Sequence, residues 1–135
     1  IEPGKRPLSS MTPTIVFGED GKPMLATGSP GGSTIITVVL QTILNVLSFD
    51  MGIAEASSVS RIHHQWLPDQ VFFESGISKD TLQLLTSMGH QIGKKPRILG
   101  STQSIQRGQN NSTLGASDPR RQGSGAVAQN RPNQQ

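Results

Sequence analysis

Hydrophobic and polar positions change rhythm several times along the chain, and each change marks an element. Residues 1–11 contain Pro3 and Pro7, which disfavour helix and push the residues before them to extended geometry, so an entry loop is expected there. Thr12 to Phe17 is rich in branched residues and predicts a strand. Glu19-Asp20-Gly21-Lys22 carries the Asp-Gly hairpin signal, and Pro23 to Thr27 is the expected return strand. Gly28-Ser29-Pro30-Gly31-Gly32-Ser33 fits no regular element. Thr34 to Ser48 predicts a helix, with Ser33 or Thr34 as a natural N-cap whose hydroxyl accepts from a free first-turn amide. Apolar residues lie nearly all round this helix. That pattern belongs to a helix covered on most sides, as between a sheet and further protein.

Asp50 to Ser60 predicts a short helix, and Arg61 to Asp69 reads as irregular. Gln70 to Glu74 is a strand candidate. Ser78 to Met88 is an amphipathic helix capped by Ser78, with Leu82, Leu85 and Met88 as its stripe and Gly89 as its stop. Arg97 to Gln106 and Leu114 to Ser117 are strand candidates on either side of a turn at Gly108–Asn111. The order β-β-α-α-β-α-β-β gives a mixed α/β fold with hairpins, of the α+β kind, without the regular alternation of a doubly wound sheet. Residues 1–121 form the folded part, and 122–135 read as a disordered polar tail.

Composition sharpens this picture at a few points. Of the 135 residues 33% are hydrophobic, and the shortage is concentrated from Gly108 onward. Residues 1–106 hold eight basic and eight acidic side chains, so the net +3 comes from Arg107, Arg120, Arg121 and Arg131 against Asp118. The basic residues have no aromatics among them, which argues against nucleic acid as a partner. With no cysteine there is neither a disulfide framework nor a thiol nucleophile. The apolar run from Ile35 to Leu47 is too short to span a bilayer. His63 and His64 are neighbours that point opposite ways on an extended stretch, and with His90 they give no metal-ligand spacing. No cofactor is expected. A chain opening at Ile1 is expected to be a fragment or a processed product.

Two segments carry candidate chemistry. Gly31 and Gly32 leave two successive amides unshielded by any Cβ, just before a helix whose positive end points at the same place. Such a turn can hold an anion or a developing oxyanion, where loss of one donor typically costs roughly 2.7–4 kcal/mol of barrier. A tight turn that needs glycine only to fit is the alternative. A phosphate loop is disfavoured, because Gly32 is followed by Ser33 and not by lysine. Ser9 and Ser10 are adjacent hydroxyls in a proline-bounded loop near Lys5 and Arg6, able to grip a carboxylate or merely to be solvated.

Lys5 to Ile15, which contains Pro7-Leu8-Ser9-Ser10-Met11-Thr12-Pro13-Thr14-Ile15, resembles the P-L-S-S-M-x-P-T-I segment of gamma-glutamyltransferases. Gly28 to Ser33 resembles their G-S-P-G-G-S turn. Arg61 to Pro68, Gly100 to Ile105 and Gly115 to Arg120 resemble three further segments in the same order, so that the likeness runs over residues 3–121. The resemblance implies an N-terminal-nucleophile hydrolase fold, a four-layer αββα sandwich, of which this chain is the C-terminal part of the small subunit. It also implies a precursor that cuts itself into two subunits, exposing a threonine. That threonine takes the gamma-glutamyl group from glutathione or a similar donor and passes it to an amino acid, a peptide or water. By motif, Ser9 and Ser10 bind the donor's alpha-carboxylate, and Gly31 and Gly32 donate amides to the oxyanion. A periplasmic or extracellular location follows by the same resemblance.

The threonine and the residues that hold the donor's alpha-amino group lie upstream in the family, and an arginine for the donor carboxylate lies in the large subunit. The polar end after Arg121 differs from the family's usual ending. The chain alone is therefore expected to be inactive and to need the large subunit and the upstream part of the small one. A non-catalytic module that binds gamma-glutamyl compounds or a partner chain is the competing reading. Trp66 with Leu67-Pro68 is expected in core or loop packing, and Asp118 with Arg120 as a structural ion pair.

Overall fold

A computed structural model describes residues 1–127. Its elements are β1 (Thr14–Phe17), β2 (Pro23–Gly28), α1 (Ile35–Leu47), α2 (Ile53–Ser58), β3 (Ile62–His63), β4 (Phe72–Phe73), α3 (Lys79–Ser87), β5 (Gln103–Arg107) and β6 (Thr113–Ser117). Four strands form an antiparallel sheet in the order β1-β2-β5-β6. β2 and β5 are neighbours although α1, α2, α3 and the small β3–β4 pair all intervene in sequence.

The sheet's period of two decides which side is covered. Leu25 and Thr27 of β2, Ser104 of β5 and Ala116 of β6 are buried on one face. Leu25 and Ala116 pack there with Val46 of α1 and with Ile53 and Ala56 of α2. Burying each large aliphatic side chain contributes roughly 1.5–3 kcal/mol. Thr27 and Ser104 share a hydrogen bond of 2.7 Å inside this layer, so their hydroxyls are not orphaned. On the opposite face Ile15, Ala26, Ile105 and Gly115 stand in one register row across all four strands. Ile15 and Ile105 are more than half exposed. The described residues thus form two layers with an uncovered apolar sheet face, as a piece of a sandwich would. Ala126 lies close to Gly115 at the edge of that face. The rest of the expected polar tail, residues 128–135, lies outside the described residues.

Several expectations are revised by particular contacts. α1 buries Ile35, Val38, Val39, Thr42 and Val46, but Ile36 and Leu40 are each 51% exposed, and Leu44 and Leu47 are exposed beside them. Among the described residues the helix is covered on one side only, by the sheet, α2 and β3. No side chain caps α1: a 3-10 turn at Gly32–Thr34 precedes it, and the Thr34 hydroxyl turns back to the Gly31 carbonyl at 2.9 Å. The irregular Arg61–Asp69 stretch contains a two-residue strand, β3. The strand expected from Arg97 begins only at Gln103. Upstream of it the backbone groups go elsewhere. Leu99 N–H donates to Glu74, Ser101 N–H to Ser29 Oγ and Thr102 N–H to Asp118. Trp66 is 77% exposed, because Trp66 N–H donates to His64 Nδ1 and Gln65 Nε2 donates to Leu67 O, which curls the loop and turns the indole outward.

α3 follows its sequence signals closely. Ser78 Oγ accepts from Thr81 N–H at 3.1 Å, and Gly89 ends the helix at a φ of +96°. His63 and His64 part as neighbours on a strand should. His63 is buried and stacks on Phe72 at 6.0 Å between ring centroids, while His64 meets Asp69 in an exposed loop.

Candidate functional site

The glycine turn is shaped by its flanks. Gly31 has a φ of +145°, and a Cβ there would lie 2.5 Å from Thr34 Oγ1. Gly32 has a φ of +57°, with nothing within 4 Å of where a Cβ would stand. The first position thus requires glycine for space and for conformation, the second for conformation. Both residues are exposed, and among the described residues neither N–H donates a hydrogen bond. α1, 13 residues long, starts at Ile35 immediately after the turn. Two free amides near a helix N-terminus are donors that can serve a negative oxygen.

The segment that carries Ser9 and Ser10 enters the sheet at the end from which the glycine turn leaves it. Thr14 of β1 pairs with Thr27 of β2, and Pro13 lies against Gly28. The chain segments bearing Ser9-Ser10 and Gly31-Gly32 therefore leave the same open end of the hairpin. Ser9 Oγ accepts from Met11 N–H at 3.3 Å, and Ser10 is half-buried. No hydrogen bond joins the two segments among the described residues. Lys5 forms an exposed pair with Glu2 at 2.9 Å.

A second cluster was only half legible. Asp118 and Arg120 do pair, at 3.1 Å, but as part of a four-residue lock with Arg61 and Glu74. Arg61 is 1% exposed. Its guanidinium donates to Asp118 at 2.8 Å, to the Ser57 carbonyl at 2.8 Å and to the Leu99 carbonyl at 2.9 Å. Arg120 donates through Nε to Glu74 at 2.7 Å, and to the carbonyls of Ser57 and Val59 at the C-terminal end of α2. Glu74 also accepts from the amides of Arg61 and Leu99. Burial alone would raise the pKa of Glu74, but the Arg120 guanidinium and those two amides outweigh it and hold the carboxyl below its usual range. Burial opposes the Asp118 carboxylate too, and the amides of Arg120 and Thr102 with the Arg61 guanidinium bring its pKa below normal. Desolvation lowers the pKa of Arg61. The cluster pairs two cations with two anions, and its donors and acceptors are mutually occupied. It is a structural lock and has no poised acid or base. The available signal was isolation: Arg61 is the only Lys, Arg, Asp or Glu between Glu55 and Asp69.

His63 ties this region to α1. Its Nδ1 lies 2.7 Å from Thr37 Oγ1, and its Nε2 lies 2.9 Å from Gln65 Oε1. Gln41 bridges α1 to β3 by donating to the Ile62 carbonyl and accepting from Ile62 N–H. Among the described residues no group of three His, Asp or Glu side chains could hold a metal ion, and no helix is long and apolar enough to cross a membrane.

The fold recurs in other proteins. The sequence is 53% identical over 120 residues to the glutathione hydrolase proenzyme of Escherichia coli, a match that covers 89% of this chain and 20% of that protein. It is 45% identical over 124 residues to the glutathione hydrolase proenzyme of Bacillus subtilis, covering 91% of this chain and 21% of that one. The chain therefore spans about a fifth of the length of these curated relatives. The structure superimposes on the gamma-glutamyltranspeptidase of Helicobacter pylori with a TM-score of 0.82 and 48% identity, covering 90% of this chain and 66% of that one. With the Pseudomonas nitroreducens gamma-glutamyltranspeptidase, solved with L-DON, the TM-score is 0.83 and the identity 37%, over 96% of this chain and 67% of that one. A Bacillus anthracis transpeptidase, CapD, shares the fold at 23% identity with a TM-score of 0.75. The family description "Gamma-glutamyltranspeptidase" matches residues 1–128, and with these relatives it establishes that the chain belongs to the gamma-glutamyltranspeptidase family, with an α+β structure that is part of an N-terminal-nucleophile hydrolase fold.

Proposed function

We propose that this chain is the donor-binding and oxyanion-stabilising part of a gamma-glutamyltransferase that cleaves glutathione-type amides. In this reading Ser9 and Ser10 clasp the donor's alpha-carboxylate. A threonine outside this segment attacks the gamma-carbonyl, and the oxygen that becomes negative accepts from the N–H groups of Gly31 and Gly32. The amine leaves with a proton, and the acyl-enzyme passes its gamma-glutamyl group to an amino acid, a peptide or water. Donors preorganised at the developing charge lower the barrier without reorganising during the reaction.

One observation carries this reading: two consecutive exposed amides without acceptors, in a turn that requires glycine, at the start of a 13-residue helix. In this reading the chain is the C-terminal part of a small subunit, and the coverages are compatible with a piece of one subunit. Similar alignments cover a fifth of the proenzymes but two-thirds of the solved transpeptidase chains, which are thus shorter pieces of such proteins. The large subunit and the upstream part of the small one are the partners in this reading, and a periplasmic or extracellular location accompanies it.

The protein carrying the complete family domain is expected to release chromophore from a gamma-glutamyl anilide, and this segment alone is not. Ser10→Ala is expected to raise the donor KM at least about tenfold, by removing a hydrogen bond to a charged group. A folded, complete protein that releases no chromophore would rule the reading out.

A further inference from the structure

Two hydroxyls with no part in the roles above sit on either side of the glycine turn. Ser29 Oγ donates to the Pro30 carbonyl at 2.7 Å and accepts from Ser101 N–H at 2.9 Å. Thr34 Oγ1 donates to the Gly31 carbonyl at 2.9 Å, and Thr34 N–H reaches the same oxygen at 3.2 Å. The Pro30–Gly31 and Gly31–Gly32 peptides are both trans. In a trans peptide the carbonyl and the N–H that follows it point opposite ways across one rigid plane. Tying the Pro30 carbonyl therefore fixes where Gly31 N–H points, and tying the Gly31 carbonyl fixes Gly32 N–H. We propose that Ser29 and Thr34 are positioning residues, each aiming one of the two amides at the reacting oxygen. The proposal rests on the reading of Gly31 and Gly32 as oxyanion donors.

The need for such ties follows from glycine itself. Without a Cβ a peptide plane can turn over at little steric cost, and a plane turned over presents its carbonyl oxygen where its N–H should be. A carbonyl facing a developing oxyanion repels it. The Ser29 tie is itself braced. Gly100 has a φ of +66°, and a Cβ there would meet Ser29 Oγ at 2.5 Å and the two Val38 methyls at 3.0 and 3.1 Å. Gly100 also lies close to Gly31, whose Cβ would stand 3.6 Å from the Gly100 Cα. The segment entering β5 and the first turns of α1 thus hold the serine in place, and the serine holds the peptide plane.

The test uses the protein carrying the complete family domain, with kcat and donor KM measured on a gamma-glutamyl anilide and active sites counted from the burst of released chromophore. Ser29→Ala is expected to lower kcat about tenfold with donor KM changed less than about twofold, since the carboxylate clasp is untouched. Thr34→Val is expected to lower kcat by a smaller factor, because Thr34 N–H still reaches the Gly31 carbonyl. Thr34→Ser retains the hydroxyl and is expected to restore the wild-type rate. Ser33→Ala ties neither carbonyl and is expected to leave kcat unchanged. If both Ser29→Ala and Thr34→Val keep kcat within about twofold of wild type, the positioning role is overturned, and a rise in KM alone overturns it equally. Where Ser29→Ala does not fold, the Thr34→Val and Thr34→Ser pair decides. Failure of the underlying reading looks different: the Gly31 and Gly32 amide signals of the wild type would not move on binding a gamma-boronic acid analogue of glutamate. Signals that move, with unchanged kcat in the variants, sink only the positioning roles.

Discussion

The glycine turn and the Arg61–Glu74–Asp118–Arg120 lock are built on opposite principles. The lock is made of side chains, is buried, and commits its hydrogen bonds to its own members and to the backbone packed around it. The turn is made of backbone, is exposed, and leaves two donors free while fixing the carbonyls behind them. A buried network with spare capacity would be a liability to the fold, whereas a binding turn without spare capacity could bind nothing. Polar groups that are held but unsatisfied, more than polar groups in general, mark where this molecule can act on another.

The comparison predicts different losses on the two sides. Arg61→Met should be the most damaging change, since it strands a buried Asp118 carboxylate. About 3–5 kcal/mol of stability should vanish, read from denaturant unfolding of the complete protein. A loss below about 1 kcal/mol would show that the lock holds little together. Gly31→Ala should instead cost less stability, about 1–3 kcal/mol of backbone strain, and strike the rate, with kcat down about a hundredfold, because its methyl group would displace Thr34 Oγ1 and turn the peptide. Equal losses of stability and rate would erase the distinction between the two regions.

Acid should sharpen the comparison further. The pKa values of Glu74 and Asp118 are depressed in the folded state, so their contribution is fully present above the unfolded carboxylate range near about 4 and is lost as pH falls through the lower folded values. Thermal stability should therefore decline below about pH 4, and Asp118→Asn should flatten part of that decline. The smallest effect belongs to Asp20→Asn. Its pair with Arg107 at 2.9 Å is exposed, and its removal should leave the melting temperature unchanged within error.

The sequence carried local information well and tertiary information poorly. The Asp20-Gly21 turn, the Ser78 cap and the Gly89 stop are each decided by a few neighbouring residues, and each is found in place. The stretch before Gln103 was misread as strand because its backbone partners are side chains distant in sequence: Glu74, Asp118 and Ser29. Trp66 was misplaced because the hydrogen bonds that turn it outward depend on how the loop curls. The exposed side of α1 is decided by which elements fold back against it, and no local pattern could have said which side would be left open. The glycine pair and the serine pair stand out in the sequence because small residues and adjacent hydroxyls are unusual in themselves. The ties from Ser29 and Thr34 do not, since a hydroxyl's direction is set only once Ser101 and the start of α1 have come together.

The most direct measurement is the amide spectrum of the complete protein, labelled with 15N-glycine, as a boronic acid analogue of the gamma-glutamyl group is added to form a tetrahedral adduct. The resonances of Gly31 and Gly32 should move strongly downfield together at one equivalent, while those of Gly21 and Gly89, whose N–H groups already donate to the Gly18 and Thr86 carbonyls, stay still. If the adduct forms and the Gly31 and Gly32 signals do not move, these amides do not face the reacting oxygen, and the account of this turn is wrong.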